Sequence, residues 1–189
     1  MNTPEENQNI IANNFRNILH ALGEKTDREG IQKTPDRVAK SLQFLTRGHA
    51  EEASVIANCK EALFDENIKS HISIKEIEFY SLCEHHVLPF FGTVSISFIP
   101  HTNGKIMGLS KFGRLVDVFS RRLQVQERLS AQLLSTIKEI LQPQAICIRV
   151  EAKHMCMMMR GVEKHNSSTV TYDFEGDVKY EQGLKDLLK

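Results

Sequence analysis

Ile72-Ser73-Ile74-Lys75-Glu76-Ile77-Glu78-Phe79 is the stretch at which the hydrophobic period changes from helical to extended. Ile72 and Ile74 alternate with polar neighbours, and Ile77 and Phe79 do so again after a shift of phase. Period-two alternation places every second side chain on one face of a strand. Val94, Ile96 and Phe98 repeat the pattern cleanly. Pro89 and Gly92 lie between the two runs and predict a turn or hairpin there. Pro100 to Gly104 reads as a loop.

Outward from these strands the period is helical. Downstream, a helix opening near Ser110 buries Phe112, Leu115, Val116 and Phe119. A second carries Leu129, Leu133, Leu134, Ile137 and Leu141 and stops at Pro143. Alternation then returns in Ile146, Ile148 and Val150, and in Val170, Tyr172 and Phe174. Upstream, Ile10, Ile11, Phe15, Ile18, Leu19 and Leu22 share a helical face, with Gly23 as the stop. Thr34-Pro35 predicts an N-cap followed by Pro at the first helical position, and Val38, Leu42 and Leu45 carry that stripe to Gly48. Residues 49–70 read as an acidic connection with local order. Runs of helices and runs of strands predict an α+β fold with an antiparallel sheet. The expected organisation is an N-terminal helical segment, 1–70, a core, 71–178, and a tail, 179–189.

The chain has 189 residues, with 24 Lys+Arg against 24 Asp+Glu. That length buries a real core without a disulfide framework. Zero net charge argues against a general nucleic-acid coat, and no apolar run reaches the roughly 18 residues of a membrane span. The polar, acidic start, Met1-Asn2-Thr3-Pro4-Glu5-Glu6, is unlike a signal peptide, so the expected compartment is the cytoplasm. There Cys59, Cys83, Cys147 and Cys156 are expected to be reduced: buried, reactive or metal-ligating.

Phosphate-loop, dinucleotide, nucleophile-elbow and H-E-x-x-H motifs are absent. The sharpest local feature is Cys83-Glu84-His85-His86. Thiolate and imidazole together suit zinc. His154-Met155-Cys156 supplies a second pair, and on a strand residues i and i+2 share a face. Four ligands, Cys83, His86, His154 and Cys156, would make a closed structural site. Three would leave a position for water and free His85 and His154 for proton transfer. Spacing leaves both open.

Charge is uneven. Residues 104–128 hold six Lys/Arg and two Asp/Glu, while residues 51–78 hold three and seven. Ser110, Lys111 and Arg114 lie at one predicted helix start, and Arg37 and Lys40 at another. Helix N-termini favour anions. With Arg160, the five cations fit a polyphosphate better than a single carboxylate, although each alone also reads as a solvated surface residue. In Gln124-Val125-Gln126-Glu127-Arg128, a carboxylate can accept the paired N1–H and amine of guanine; the same pattern is common on surfaces.

Taken together, the motifs resemble the GTP cyclohydrolase I family from about Leu22 to Gly176. They include Thr34-Pro35-Asp36-Arg37-Val38-Ala39-Lys40, Ser81-Leu82-Cys83-Glu84-His85-His86, Gly108-Leu109-Ser110-Lys111, Arg122 to Leu129, and His154-Met155-Cys156-Met157-Met158-Met159-Arg160-Gly161. The resemblance implies a T-fold, an antiparallel sheet with paired helices on one face, assembled as a homodecamer of two pentamers with sites between subunits. It implies Zn2+ on Cys83, His86 and Cys156, and catalytic roles for His85 and His154. It implies triphosphate contacts from Arg37, Lys40, Ser110, Lys111, Arg114 and Arg160, and guanine contacts from Gln126 and Glu127. The implied reaction is attack of water at C8 of GTP, release of formate, and rearrangement to 7,8-dihydroneopterin triphosphate. His85 protonates the imidazole ring and His154 assists ribose opening.

Glu163 to Ser168 departs from the family's usual Pro-Gly, and Lys179 to Lys189 matches poorly. Two rivals stand beside this reading. One is a T-fold enzyme acting on a pterin or deazapurine, against which the full Cys/His set argues. The other is a nucleotide-binding or zinc-stapled interaction protein without turnover, against which the two additional histidines argue.

Overall fold

The computed structural model describes residues 2–66, 68, 70–102 and 104–189. The chain divides into two compact units, 1–47 and 48–189.

In the first unit, α1 (Pro4–Ala21) begins with a capping box. Thr3 Oγ1 accepts from the Glu6 N–H, and Glu6 accepts from the Thr3 N–H. Gly23 follows at φ +80°, the left-handed residue that stops this helix. A single turn, α2 (Glu29–Gln32), leads to α3 (Thr34–Leu45), which packs on α1. Lys33 is the N-cap of α3, so Thr34 and Pro35 are already helical and Thr34 does not cap. Ala12, Leu19 and Ala39 are buried, whereas Ile10, Ile18 and Leu22 are exposed. The apolar stripe of α1 is thus wider than the face that α3 covers.

The second unit opens with a helix where a connection was expected: α4 (Gly48–Glu61). Its buried Cys59 and partly buried Val55 and Ile56 join the core, although its overall amphipathicity is weak. A three-residue strand, β1 (Leu63–Asp65), follows. Then come β2 (Ile72–Cys83), β3 (Pro89–Ile99), and β4 (Lys105–Met107), which pairs with β1. After them run α5 (Leu109–Ser120), β5 (Leu123–Gln124), α6 (Gln126–Leu141), β6 (Ala145–His154), α7 (Met155–Met158), β7 (Thr169–Gly176) and α8 (Glu181–Leu187).

The main sheet has the order β5-β2-β3-β6-β7. It is antiparallel except for the short β2–β5 pairing. The helices α5 and α6 pack on one face, giving the expected α+β arrangement of the T-fold. Phe79, Phe90, Ile96, Phe98, Ile146, Ile148 and Val150 face Phe112, Leu115, Phe119, Leu129, Leu133 and Ile137 across that layer. On the opposite face, Ala145 and Cys147 pack against Leu184 and Leu188. The segment expected to be a tail therefore contains a docked helix.

The phase shift in the sequence is a β-bulge. Ile74 pairs with Ile96 and Ile77 with Val94, so Lys75 and Glu76 together oppose Ser95. Glu76 takes φ +59°, and its N–H donates to Ser95 Oγ at 3.1 Å. The β2–β3 turn lies at residues 84–88, not at Pro89 and Gly92, which both belong to β3. Gly92 is required by close approach instead: a Cβ there would lie 1.9 Å from the Glu151 carbonyl oxygen. At the end of α6, Gln142 adopts φ +46° immediately before Pro143.

Candidate active site

The turn after β2 is tightly bonded. The Cys83 N–H donates to Leu88 O at 2.8 Å, and the Val87 and His86 N–H groups donate to Cys83 O at 2.8 and 3.3 Å. The Glu84 N–H reaches Gln124 O at 3.0 Å. Val87 takes φ +54°, which for a β-branched residue costs on the order of 1–3 kcal/mol. The strained turn projects His85 and His86 outward while Cys83 stays buried at the end of β2. Arg128 of α6 clamps the turn from outside, donating to both Glu84 carboxylate oxygens at 2.5 and 3.0 Å. That pairing holds the Glu84 carboxyl below its ordinary pKa. The clamp was not anticipated, although both residues lie in quoted motifs.

Cys156 comes from a different element. β6 ends at His154 and Cys156 lies in the one-turn helix α7, so the expected i, i+2 strand argument does not describe them. The backbone turns between them, yet Cys156 still meets Cys83 and His86: the three donor atoms all lie within 4.8 Å of one another. Cys83 Sγ and His86 Nδ1 are 3.6 Å apart. A tetrahedral zinc ion with Zn–S of about 2.3 Å and Zn–N of about 2.0–2.1 Å needs roughly 3.5 Å there. Burial, and then the neighbouring Cys83 thiol, push the Cys156 thiol up. A divalent cation reverses that preference, because it favours the thiolates. Two sulfurs and an imidazole nitrogen therefore fit zinc in spacing and in chemistry.

The other two histidines differ in setting. His85 is exposed, with Nδ1 3.9 Å from Cys83 Sγ. His154 is half-buried. Its ring stacks on Phe90 at 4.7 Å and 4° between planes, and Nε2 lies 2.9 Å from Gln126 Oε1. Burial lowers its pKa, with the Glu127 carboxylate opposing that shift. Phe90 was read only through its neighbours in a strand; stacking partners cannot be inferred from spacing.

Arg160 Nη1 lies 3.1 Å from His86 Nε2, so this cation stands beside the donor group. Gln126 and Glu127 open α6. Glu127 is exposed, but the Gln126 amide is turned into the fold. Ser110, Lys111 and Arg114 occupy the opening turns of α5, where Gly108, not Ser110, is the N-cap. Among the described residues no hydrogen bond or ion pair joins those three to the thiol–imidazole group. Arg37 and Lys40 belong to the first unit and line an open cavity with Gln8, Lys33 and Asp36.

Comparison with known proteins matches this arrangement to one family. A sequence model of GTP cyclohydrolase I matches residues 11–188. The GTP cyclohydrolase 1 of Bacteroides fragilis is 50% identical over 167 residues, 88% of this chain and 84% of that protein. The Porphyromonas gingivalis protein of the same name is 49% identical over 172 residues, 91% and 87% of the two chains. The GTP cyclohydrolase 1 of Chlorobium phaeovibrioides is 47% identical over 174 residues, 92% and 76% of the two. Among solved structures, an archaeosine synthase QueF-Like in the apo form aligns with a TM-score of 0.46 at 21% identity, covering 58% of this chain and 96% of that one. With nearly its whole length matched, and half of its residues shared with a relative over most of that length, the chain belongs to the GTP cyclohydrolase I family.

Proposed function

We propose that the chain converts GTP and water to formate and 7,8-dihydroneopterin triphosphate, an opening step of folate and pterin biosynthesis. The observation that carries this reading is the convergence of Cys83, His86 and Cys156 beside two further histidines in a member of this family. Those three residues would hold zinc, and a zinc ion with three protein ligands lowers the pKa of water to about 7 and so supplies a nucleophile at neutral pH.

The remaining work falls to the chain's own groups. His85, exposed on its turn, donates a proton to the imidazole ring of guanine as C8 is attacked. His154 moves the proton that opens the ribose, held in one ring plane by Phe90. Glu127 accepts the N1–H and exocyclic amine of guanine. Arg37, Lys40, Ser110, Lys111, Arg114 and Arg160 bind the triphosphate, with groups contributed by more than one subunit of a homo-oligomer, expected to be a decamer. No helix among the described residues is long and apolar enough to cross a membrane, in keeping with a cytoplasmic enzyme that uses neither membrane nor nucleic acid.

The test is formate and pterin production from GTP by the purified, zinc-loaded protein, with ATP as the control. Both products from GTP alone support the reading. Cys156→Ser should lower bound zinc, measured by elemental analysis, and abolish both products. Neither product from zinc-loaded, assembled wild-type protein refutes the proposal.

A further inference from the structure

Gln126 is almost wholly buried, at 1% exposure, although it opens a helix next to the exposed Glu127. Its amide nitrogen lies 3.0 Å from Val150 O and 3.0 Å from Thr169 O, with Thr171 Oγ1 at 3.4 Å. Carbonyl oxygens only accept, so the two N–H groups must face β6 and β7, and Oε1 must face His154. Oε1 also only accepts. The His154 nitrogen 2.9 Å away, Nε2, must therefore be the one that carries a hydrogen. In a neutral imidazole the lone pair then belongs to Nδ1, on the far side of the ring from Gln126. The stack on Phe90 fixes the plane in which that lone pair points.

We infer that Gln126 is a positioning residue: it holds His154 in the Nε2–H form, leaving Nδ1 as the nitrogen that takes a proton. Its amide has no N–H left to read a guanine edge, and base recognition falls to Glu127. This inference rests on the proposed role of His154 in turnover, but its geometric half stands apart from activity. A buried amide with both N–H groups bound to the main chain cannot reorient without leaving two carbonyls unpaired, so it holds the imidazole more firmly than a solvent-exposed partner could.

The test has two arms. Zinc-loaded assembled protein carrying 15N-labelled histidine is studied by solid-state NMR at pH 8, and the His154 signals are assigned by difference against His154→Ala. A protonated Nε2 with an unprotonated Nδ1 is the expected result; a protonated Nδ1 with an unprotonated Nε2 overturns the inference, whether or not the protein turns over GTP. The second arm is kinetic. Proton transfer by a placed side chain contributes about 10²–10⁴-fold, so Gln126→Leu should lower kcat by about 100-fold or more with KM for GTP within about twofold. The double variant Gln126→Leu/His154→Ala should be no slower than His154→Ala alone, because one residue acts through the other. A raised KM with kcat unchanged, or losses that multiply, would assign Gln126 to substrate contact and overturn the positioning role. If Gln126→Leu does not fold, the wild-type NMR result still decides.

Discussion

Replacing Arg122 by Met tests how the loop that delivers the first turn of α6 is anchored. Arg122 is 3% exposed and ties three segments together. Its Nε and Nη2 both donate to Val118 O, at 3.1 and 2.6 Å; Nη2 also reaches Gly48 O at 3.2 Å, and Nη1 reaches Glu52 at 3.2 Å. Val118 O lies beyond the N–H ladder of α5, since the Arg122 N–H turns back to Ser120 O. Its only recorded donors are therefore on Arg122. Hydrogen bonds from a charged donor contribute about 1.5–3 kcal/mol, and an orphaned buried acceptor costs about 1–3 kcal/mol. The Glu52 side chain is 37% exposed and can turn to water, so that ion pair adds little. Met refills the aliphatic stem, leaving a net loss of about 3 kcal/mol. For a urea slope of about 2 kcal/mol per M, the unfolding midpoint should fall by about 1.5 M, measured at matched protein concentration because assembly shifts apparent stability. Arg122→Lys should recover only part, since one ammonium cannot span three partners. A shift below about 0.3 M for Arg122→Met would refute the anchoring argument.

Two further outcomes follow. Gly92→Ala drives a Cβ into the Glu151 backbone, and because that atom is main chain, little soluble folded protein should remain; normal yield and unfolding midpoint would contradict the close approach. Burial under α8 pushes the Cys147 thiol up to about 11 from an ordinary 9.0. Cys147 should thus resist a thiol reagent at pH 8 until the protein unfolds. The sign for stability follows from the raised folded-state value: the contribution is full below pH 9 and is lost as pH rises through about 11. Denaturation curves for wild type and Cys147→Ala over that window should differ in their pH slope; parallel slopes would sink the idea.

Alternation made β2, β3, β6 and β7 legible, because a half-buried antiparallel strand writes its burial into the order of residues. The helices α5 and α6 were legible for the corresponding reason at a period of 3.6. Weakly amphipathic α4 and the three-residue strands β1 and β4 were not, since their positions are set by tertiary neighbours and not by local pattern. Caps were displaced by one or two residues: Lys33 and Gly108 stand where Thr34 and Ser110 were expected. At the site, the pairing of Cys83 and His86 with Cys156 was visible as residue types, but the route was not, because β6 gives way to α7 between His154 and Cys156. The inward amide of Gln126 was invisible, as its partners lie 24 and 43 residues away.

The extra residue at Lys75–Glu76 sets the parity of everything after it in β2. Before it, even-numbered Ile72 and Ile74 pack against the core; after it, odd-numbered Ile77, Phe79, Ser81 and Cys83 take the inner side. Deleting one residue there would tidy the strand and restore an unbroken alternation, yet it would carry Cys83 across the sheet, away from Cys156. The irregularity thus behaves as a frame marker in three dimensions: a length change in this strand is tolerable only in pairs, and the chemistry several residues downstream depends on a count kept where no chemistry occurs.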